Sequence, residues 1–392
     1  MQIAVVHDYF TQRGGAEKVA EEIVRMLPDP AVFSIVAFAD RLPSGLVNHP
    51  IGTTWMQHLP FMRNYYRFYF GLYPFAVNSF KLSNFDLVIS SSSGYAKGVR
   101  TSSHSVHVCY CHTPMRWAWG FDDYSAREKL GPLKRLLLPR MVRLLQKWDL
   151  KASREPDYYV ANSHEVARRI KKHYGRTAEV IHPPIDVDRF RPSQEQEDYY
   201  LVLARLVSYK RIDVAVEACT KLKRRLVVIG EGPDRARLEA MAGSTVTFLG
   251  RLSDAEVEHY ASRCQALLFP GEEDFGMAPL EIAAAGRPTI AFRAGGAIET
   301  IVENRTGVFF DRQEPESLAN AIEVFEQQDW DANILRKHAE GFGVDVFQEA
   351  FLNFLNRIGC APNIDVLKPF AICRTATVTK GDIGERPASI TA

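Results

Sequence analysis

Two series of short apolar segments, separated by a proline-rich connector, constrain the fold of this 392-residue chain more than any other feature. In the first series the apolar segments begin near residues 2, 31, 86, 106 and 157. In the second they begin near residues 200, 225, 245, 266, 289 and 307. Short apolar strands that alternate with helical segments indicate a parallel sheet covered by helices on both faces. The sequence therefore predicts an α/β protein with two Rossmann-like domains.

The connector sets the predicted domain boundaries. Residues 181–192 read IHPPIDVDRFRP, which places a first domain at 1–184 and a second at 185–343. A helix over residues 344–358 follows, and we expect it to pack back on the first domain. From residue 359 onward Pro, Thr, Ser and Gly dominate and hydrophobic periodicity is lost. We interpret residues 359–392 as a poorly ordered tail.

Charge is divided unevenly between these two parts. Residues 1–192 carry a net charge of +9, whereas the remainder carries −8. Two halves of opposite sign indicate domains with different partners, and the basic half favours an anionic surface. Nucleic acid is not an expected partner. The chain is 46% hydrophobic and 24% charged, which is typical of a soluble globular protein.

The termini and cysteines bear on the expected compartment. The chain starts directly in a predicted strand, so we expect no secretory signal, and no segment has the ~18 consecutive apolar residues of a membrane span. The six cysteines are scattered without a CxxC pair. This pattern predicts free thiols, a cytoplasmic location and no zinc site.

Two segments of the first half suggest a membrane surface. Arg63–Lys81 is rich in aromatic residues with basic residues at both ends. Residues 130–154 form an amphipathic pattern, in which one helical face carries Met141, Leu144, Leu145 and Trp148 and a neighbouring face carries Arg140, Arg143, Lys147, Lys151 and Arg154. One interpretation is a surface helix with a core stripe. The other is an interfacial helix on an anionic membrane, which would make the protein peripheral to the cytoplasmic membrane.

The stretch GEEDFGMAPLEIAAAGRP, residues 271–288, is the strongest candidate for a ligand site. An apolar strand ends at Pro270, and a helix is predicted from about Met277. The loop and first helical turn offer unpaired backbone N–H groups that suit an anion. Glu273 and Glu281 add carboxylates, which suit hydroxyl groups, and a sugar nucleotide offers both phosphate and hydroxyls. The alternative that these glutamates are merely solvated remains open at this point.

Other candidate residues also follow predicted strands. They comprise two glycine turns, Gly14-Gly15 and Gly230-Glu231-Gly232, together with His112, Arg205 and Lys210. The first turn lacks the GxGxxG pattern of dinucleotide-binding proteins. Ligands of open α/β sheets bind beyond the carboxyl ends of the strands, so two facing sheets would gather these residues in one cleft.

These motifs resemble those of a known family. ARLVSYKR (204–211), VIGEGP (228–233), FLGRLS (248–253) and EEDFGMAPLE (272–281) occur in that order. They are similar to the retaining GT-B glycosyltransferases of the large family 4, whose E-x7-E element matches Glu273 and Glu281. The opening HDYF…GGAEKV and the run VCYCHTPMRWAW resemble most closely the bacterial mannosyltransferases of O-antigen and exopolysaccharide assembly, which use GDP-mannose.

The resemblance implies a role for each matched residue. It implies that Glu281 binds the ribose hydroxyls and that Arg205 and Lys210 neutralise the diphosphate leaving group. The remaining implied contacts to the nucleotide-sugar are Glu273 with the backbone of Phe275, Gly276 and Met277 at the sugar, Arg251 and Leu252 at the base, Gly14 and Gly15 at the facing loop, and His112 across the cleft.

The resemblance also implies the chemistry. The family needs no metal or other cofactor, and the expected partners are a nucleotide-sugar and a lipid-linked or saccharide acceptor. Front-side attack assisted by the leaving phosphate is the mechanism usually proposed for it. A UDP-sugar-dependent transferase, a sugar-nucleotide epimerase of the same fold and an inert sugar-nucleotide-binding module stay open as alternatives.

Overall fold

The structure is a computed structural model that describes residues 1–120 and 132–360. In these ranges the strands form two separate sheets. Within each sheet, every pair of neighbouring strands is parallel. The first sheet contains β1 to β7: Ile3–Phe10, Ala31–Ala37, Ile51–Thr53, Leu87–Ser92, Val106–Cys111, Tyr158–Ala161 and Glu179–Val180. The second contains β8 to β13: Tyr200–Leu203, Leu226–Ile229, Val246–Gly250, Leu267–Phe269, Thr289–Phe292 and Gly307–Phe310.

Strand order explains where a ligand can enter each sheet. The order is β3-β2-β1-β4-β5-β6-β7 in the first sheet and β10-β9-β8-β11-β12-β13 in the second. Strand succession therefore reverses between β1 and β4, and again between β8 and β11. At such a switch point the loops on either side diverge and leave a crevice at the carboxyl edge. The predicted α/β architecture with two Rossmann-like sheets is confirmed.

Helices cover both faces of the two sheets. The α-helices of the described residues, α1 to α14, are Gly15–Arg25, Met62–Tyr65, Tyr73–Val77, Arg116–Trp119, Pro132–Ala152, His164–Tyr174, Ile212–Leu222, Arg235–Met241, Asp254–Arg263, Met277–Ala284, Ala297–Thr300, Pro315–Phe325, Ala332–Glu340 and Val344–Arg357. Short 3-10 turns occur at Ala39–Arg41, Ser44–Leu46, Trp55–His58, Tyr66–Tyr69, Ala96–Gly98 and Ser208–Lys210.

The last helix returns to the first sheet. Phe347 and Phe351 of α14 are buried in the same apolar cluster as Val5 of β1 and Tyr110 of β5. The chain therefore crosses between the two halves twice, and the crossings touch, because Ile185 forms a parallel bridge with Gly343. The predicted tail falls almost wholly outside the described residues, as does Cys373. The other five cysteines are buried and free.

Helix α5 (Pro132–Ala152) does not place its apolar residues on one buried face. Leu145 and Asp149 are buried, whereas Met141 is 40% exposed and Leu144 is 67% exposed. A buried ion pair fixes this rotation, because the Asp149 carboxylate lies 2.5 Å from the Lys97 ammonium. The interpretation of a single core stripe is therefore wrong for Met141 and Leu144. Among the helices of the described ranges, none is both long enough and apolar enough to span a bilayer.

Candidate active site

Lys210 and Glu273 form an ion pair at the switch point of the second sheet. Lys210 ends the short turn that follows β8, and Glu273 lies in the loop after β11, which is the neighbouring strand. Burial lowers the pKa of Lys210, but the charge of Glu273 and its hydrogen bond raise it, and the net pKa lies above the usual value. The ammonium is therefore kept charged at this edge of the second sheet.

The first glycine loop approaches this edge from the opposite sheet. Gly14 caps α1, and a Cβ added at Gly15 would lie 2.8 Å from the sulfur of Met277 at the start of α10. The Arg205 guanidinium donates to the side-chain oxygen of Gln12, at 3.2 Å. The two predicted loops thus meet across the cleft, and a side chain at position 15 would require Met277 to move. Gln12 was not identified from the sequence.

Glu281 also faces the first half of the chain. It lies in the second turn of α10, and its carboxylate is 3.3 Å from the ammonium of Lys18 in α1. The Glu281 side chain is 15% exposed and that of Lys18 is 44% exposed, so solvent reaches the pair from the Lys18 side. A ribose bound to Glu281 would therefore lie next to Lys18, a cation for which the sequence predicted no role.

Asp274 is the main electrostatic contact between the halves. Its carboxylate accepts a hydrogen bond from Arg169 at 2.5 Å and further bonds from Thr113 at 3.3 Å and Arg116 at 3.4 Å. Arg169 also pairs with Glu272 at 2.9 Å. The loop that carries Glu273 is therefore held against the first sheet by its neighbours on both sides. Sequence analysis missed these residues, although Asp274 stands inside the motif.

Phe275 and Gly276 shape the start of α10. Phe275 is buried beside Ile185 and Leu280, and the His182 ring stacks on it at 5.1 Å between ring centroids. Gly276 has φ of 89°, a left-handed conformation that residues with a Cβ rarely adopt. Phe275 thus anchors the loop to the connector, and Gly276 turns the chain into α10, whose first N–H groups have no partner within the helix.

The predicted base contacts lie beside the second glycine turn. Arg251 is exposed and Leu252 is partly buried just after β10. Gly250 has φ of 71°, and its carbonyl accepts a hydrogen bond from the N–H of Gly230 at 2.8 Å. A Cβ at Gly230 would lie 1.9 Å from the carbonyl oxygen of Ala204, so the turn packs directly on the chain leading to Arg205.

His112 lies on the opposite side, immediately after β5. Its ring is only 7% exposed, and its Nε2 is 2.8 Å from the Ser91 hydroxyl. Burial, together with the neighbouring ring of His7, lowers the pKa of His112 to about 3, so the imidazole is neutral at physiological pH. The next residue, Thr113, contacts Asp274, which places His112 one residue from the junction of the two halves.

Asp8 holds the loop that follows β4. Its carboxylate accepts hydrogen bonds from the backbone N–H groups of Ser93, Tyr95 and Ala96, at 2.5, 2.8 and 2.6 Å. Because the residue is buried, these bonds replace the water that an ionised carboxylate needs. An acidic residue inside an apolar strand was the available signal, but sequence analysis assigned it no role.

In the described part of the chain, one group of three side chains lies close enough together to hold a metal ion. The ligand atoms of His164, His182 and Glu299 all lie within 4.8 Å of one another. Both carboxylate oxygens of Glu299 already accept backbone hydrogen bonds at the start of α6, from His164 at 2.8 Å and Glu165 at 3.0 Å. The carboxylate therefore acts as a helix cap across the interface, and none of the predicted nucleotide-sugar contacts belongs to this group.

Comparison with known proteins bears on both halves. Residues 13–189 match the family described as Glycosyltransferase Family 4, and residues 185–342 match the family described as Glycosyl transferases group 1. The two matches together cover most of the chain and meet in the connector.

Individual relatives are similar over part of their length. The chain is 31% identical over 174 residues to a GDP-mannose-dependent alpha-(1-6)-phosphatidylinositol monomannoside mannosyltransferase of Mycobacterium tuberculosis, covering 37% of this chain and 45% of that protein. It is 29% identical over 223 residues to the D-inositol 3-phosphate glycosyltransferase of Geodermatophilus obscurus, covering 48% and 50% respectively. The chain thus spans about half the length of the curated relatives it matches.

Solved structures match over nearly the whole chain. A sucrose-phosphate synthase of Thermosynechococcus elongatus superposes with a TM-score of 0.73 at 16% identity, covering 92% of this chain and 99% of that one. The Anabaena protein HepE, solved in complex with UDP, gives a TM-score of 0.67 at 17% identity, covering 91% and 100%. At this level of identity the likeness concerns the fold.

Proposed function

We propose that this chain, which belongs to the GT-B glycosyltransferases of family 4, transfers mannose from GDP-mannose, with retention of configuration, to a lipid-linked or saccharide acceptor in the assembly of a bacterial cell-surface polysaccharide. The observation that carries the proposal is the Lys210–Glu273 pair at the switch point, with Arg205 beside it and the glycine loop opposite. Cations, carboxylates and the start of a helix, whose first N–H groups lack partners within the helix, together match a sugar diphosphate.

The chemistry follows from where charge develops. When the bond between the sugar C1 and the phosphate oxygen breaks, the sugar becomes cationic and the diphosphate gains negative charge. Arg205, Lys210 and the N–H groups at the start of α10 stabilise that charge because they are already in place. The acceptor oxygen then bonds to C1 from the same face, and its proton passes to the leaving phosphate oxygen. Glu273 holds sugar hydroxyls, and Glu281 holds the ribose.

The choice of GDP-mannose is supported by the mycobacterial relative, which is described as GDP-mannose-dependent. The test is turnover of GDP-mannose, UDP-glucose, UDP-galactose and UDP-N-acetylglucosamine in parallel, with and without saccharide acceptors. Rapid turnover of a UDP-sugar but not of GDP-mannose would reject the proposal that the chain is a mannosyltransferase. Conversion to an isomeric sugar nucleotide without acceptor would indicate an epimerase, and tight binding without turnover would indicate a binding module.

Metal independence is part of the same proposal, because Arg205 and Lys210 supply the positive charge that a divalent cation supplies elsewhere. Activity should persist in excess EDTA after dialysis. Loss of activity that Mg²⁺ or Mn²⁺ restores would reject this mechanism.

The same proposal includes docking on an anionic membrane, where a lipid-linked acceptor would be found. Phe61, Tyr65 and Phe68 are 75%, 51% and 73% exposed, and neighbouring rings lie 6.4 and 5.7 Å apart between centroids. Leu144 is exposed on α5, and its neighbour Leu145 is buried in the same apolar cluster as Met62 of the aromatic segment. Exposed aromatic rings beside basic side chains suit the interface of an anionic bilayer.

Flotation with liposomes tests this docking. Binding to anionic vesicles should exceed binding to neutral ones and should weaken as salt rises, because the attraction is screened. Phe68→Ser should reduce binding, whereas Val324→Ser, an exposed position of the second half, serves as the matched control. Equal partition onto both vesicles, or no binding, would contradict the proposal.

A further inference from the structure

Three buried polar side chains form a continuous hydrogen-bonded row in the first sheet. His7 of β1 pairs in register with Ser91 of β4, and His112 follows the next strand, β5. The Ser91 hydroxyl lies 3.0 Å from Nδ1 of His7 and 2.8 Å from Nε2 of His112. The exposed fractions are 3%, 0% and 7% for His7, Ser91 and His112, so water does not compete for these bonds.

The single hydroxyl proton of Ser91 restricts how this row is protonated. Burial lowers the pKa of His7 to about 4, although Asp8 raises it, and burial lowers that of His112 to about 3. Both rings are therefore neutral near pH 7, and a neutral imidazole carries one N–H. In the described residues the side-chain hydrogen bonds of Ser91 are those to the two ring nitrogens. If both rings donated to Ser91, its buried hydroxyl proton would be left unpaired at a cost in free energy, and it cannot donate to both rings. One ring therefore donates to Ser91 while Ser91 donates to the other.

Only two arrangements then satisfy the row. In one, His7 donates from Nδ1 and Ser91 donates to Nε2 of His112, so both rings carry their proton on Nδ1. In the other, His112 donates from Nε2 and Ser91 donates to Nδ1 of His7, so both rings carry their proton on Nε2. The two histidines must therefore share one tautomer, and Nδ1 of His112, which does not bind Ser91, is a donor in the first arrangement and an acceptor in the second.

We propose that His7 and Ser91 are positioning residues that set the tautomer of His112, and that a sugar hydroxyl meeting Nδ1 of His112 selects the same arrangement in both rings. The coupling of the tautomers follows from the row itself. Its use in catalysis rests on the proposed function, in which His112 faces the nucleotide-sugar.

The same sheet offers a matched control. His107 of β5 lies with its Nε2 2.8 Å from the Ser90 hydroxyl, and both side chains are fully buried. Burial lowers the pKa of His107 to about 4, although Asp157 raises it. Ser90 and Ser91 are adjacent along β4, so their side chains point to opposite faces of the sheet. Ser90→Ala therefore removes a comparable hydrogen bond outside the row.

The first test uses the ligand-free wild-type protein, labelled with ¹⁵N at its histidines. Nitrogen chemical shifts identify the protonated nitrogen of each ring, and loss of single signals in His7→Asn and His112→Asn assigns them. We expect His7 and His112 to show the same tautomer. Opposite tautomers would overturn the proposal, and this result does not depend on any enzymatic activity.

The second test adds GDP-mannose and measures kinetics. Both rings should show one shared tautomer in the complex, and a change in His112 alone would overturn the proposal. Ser91→Ala should lower kcat about tenfold, the effect of one lost hydrogen bond in the transition state, with KM for the acceptor unchanged. Ser91→Thr, which keeps the hydroxyl, should restore both kcat and the shared tautomer, and Ser90→Ala should leave both intact.

Unchanged kcat in Ser91→Ala would reject the positioning role. Failure of every nucleotide-sugar to turn over would instead reject the proposed function, and the tautomers measured in the ligand-free protein would still decide the coupling.

Discussion

The two edges of the cleft achieve polarity by different physical means. On the first sheet, His7, Ser91 and His112 are buried, neutral and hydrogen-bonded to one another. On the second, Lys210 and Glu273 are charged and form an ion pair with partly exposed side chains. The row on the first edge therefore has a fixed hydrogen-bond geometry and no charge, whereas the pair on the second edge has charges that a ligand can re-pair.

This difference suits two sides of one reaction. In the proposed reaction the leaving diphosphate needs charge that is present before the bond breaks, and the pair on the second edge would supply it. The sugar, which has many hydroxyls, needs hydrogen-bond directions rather than charge, and the neutral buried imidazole of His112 would supply them. In the ligand-free protein the charges of the second edge are occupied internally, by Lys210 with Glu273 and by Glu281 with Lys18 of the first half. In the proposed function, binding of the nucleotide-sugar would therefore exchange these internal partners for groups of the ligand.

The largest test removes the charge of the second edge. Lys210→Ala should lower kcat by about 10²- to 10³-fold, because the leaving diphosphate loses a preorganised cation. Arg205→Ala should lose about 10²-fold for the same reason. Steady-state kinetics with a saturating nucleotide-sugar measures both effects, and circular dichroism checks the fold.

Lys221→Ala is the matched control for these variants, because Lys221 forms an exposed ion pair with Glu316 at 3.0 Å in the second half. Near-normal kcat in both Lys210→Ala and Arg205→Ala would contradict the role proposed for the charges of the second edge.

A second test examines the carboxyl group of the first edge. Glu17 is buried beside Gly14, and burial raises its pKa to about 7, although hydrogen bonds from Gly14 and Gln12 lower it. A carboxyl whose pKa is raised on folding binds more protons in the folded state. Its contribution is therefore fully present below the unfolded pKa, near 4.5, and is lost as pH rises toward 7.

For Glu17 the expected loss in the free energy of unfolding is roughly 3 kcal/mol between pH 4.5 and pH 8. Urea titrations of wild type and Glu17→Gln across this range measure it, and the difference between the two proteins should grow with pH. A difference that is flat with pH would mean that Glu17 is ionised in the folded protein, and the first edge would then carry a negative charge at this position.

A smaller effect is expected from the link between the edges. Asp274→Asn removes the charge that pairs with Arg169 and Arg116 but retains the side-chain oxygen. We expect about a tenfold loss in kcat/KM for the nucleotide-sugar, because the loop carrying Glu273 is held less closely to the first half. Small-angle scattering should report a more open average shape. Asp311→Asn, at an exposed ion pair with Arg293, is the control, and an equal loss there would argue against a specific link.

The sheets were predictable from the sequence because their signal is local. Strands such as Ile3–Phe10 and Leu226–Ile229 are buried along almost their whole length, so the apolar run itself marks them. The edge strand Ile51–Thr53 was missed, since its residues are partly or fully exposed and no such run exists. Local glycine turns likewise marked the ends of β1 and β9.

The contacts across the cleft were not predictable in this way. Lys18 and Glu281 are 263 positions apart, and Arg169 and Asp274 are 105 apart, so neither spacing nor periodicity connects them. The hydrogen-bonded row from His7 to His112 could not be predicted from the sequence either, because only the strand order places β1, β4 and β5 side by side. The motif therefore predicts which residues meet a ligand, whereas the fold determines what those residues contact in the ligand-free protein.

The return of α14 to the first sheet has a consequence for biosynthesis. Phe347, Phe351 and Phe354 complete the core around Val5 and Tyr110, yet they leave the ribosome after the whole second half has been made. Domains generally fold as units during synthesis, in order from the N-terminus. Here the second half should reach its native state while the first still exposes apolar surface, which extends the period in which the nascent first half is prone to aggregate.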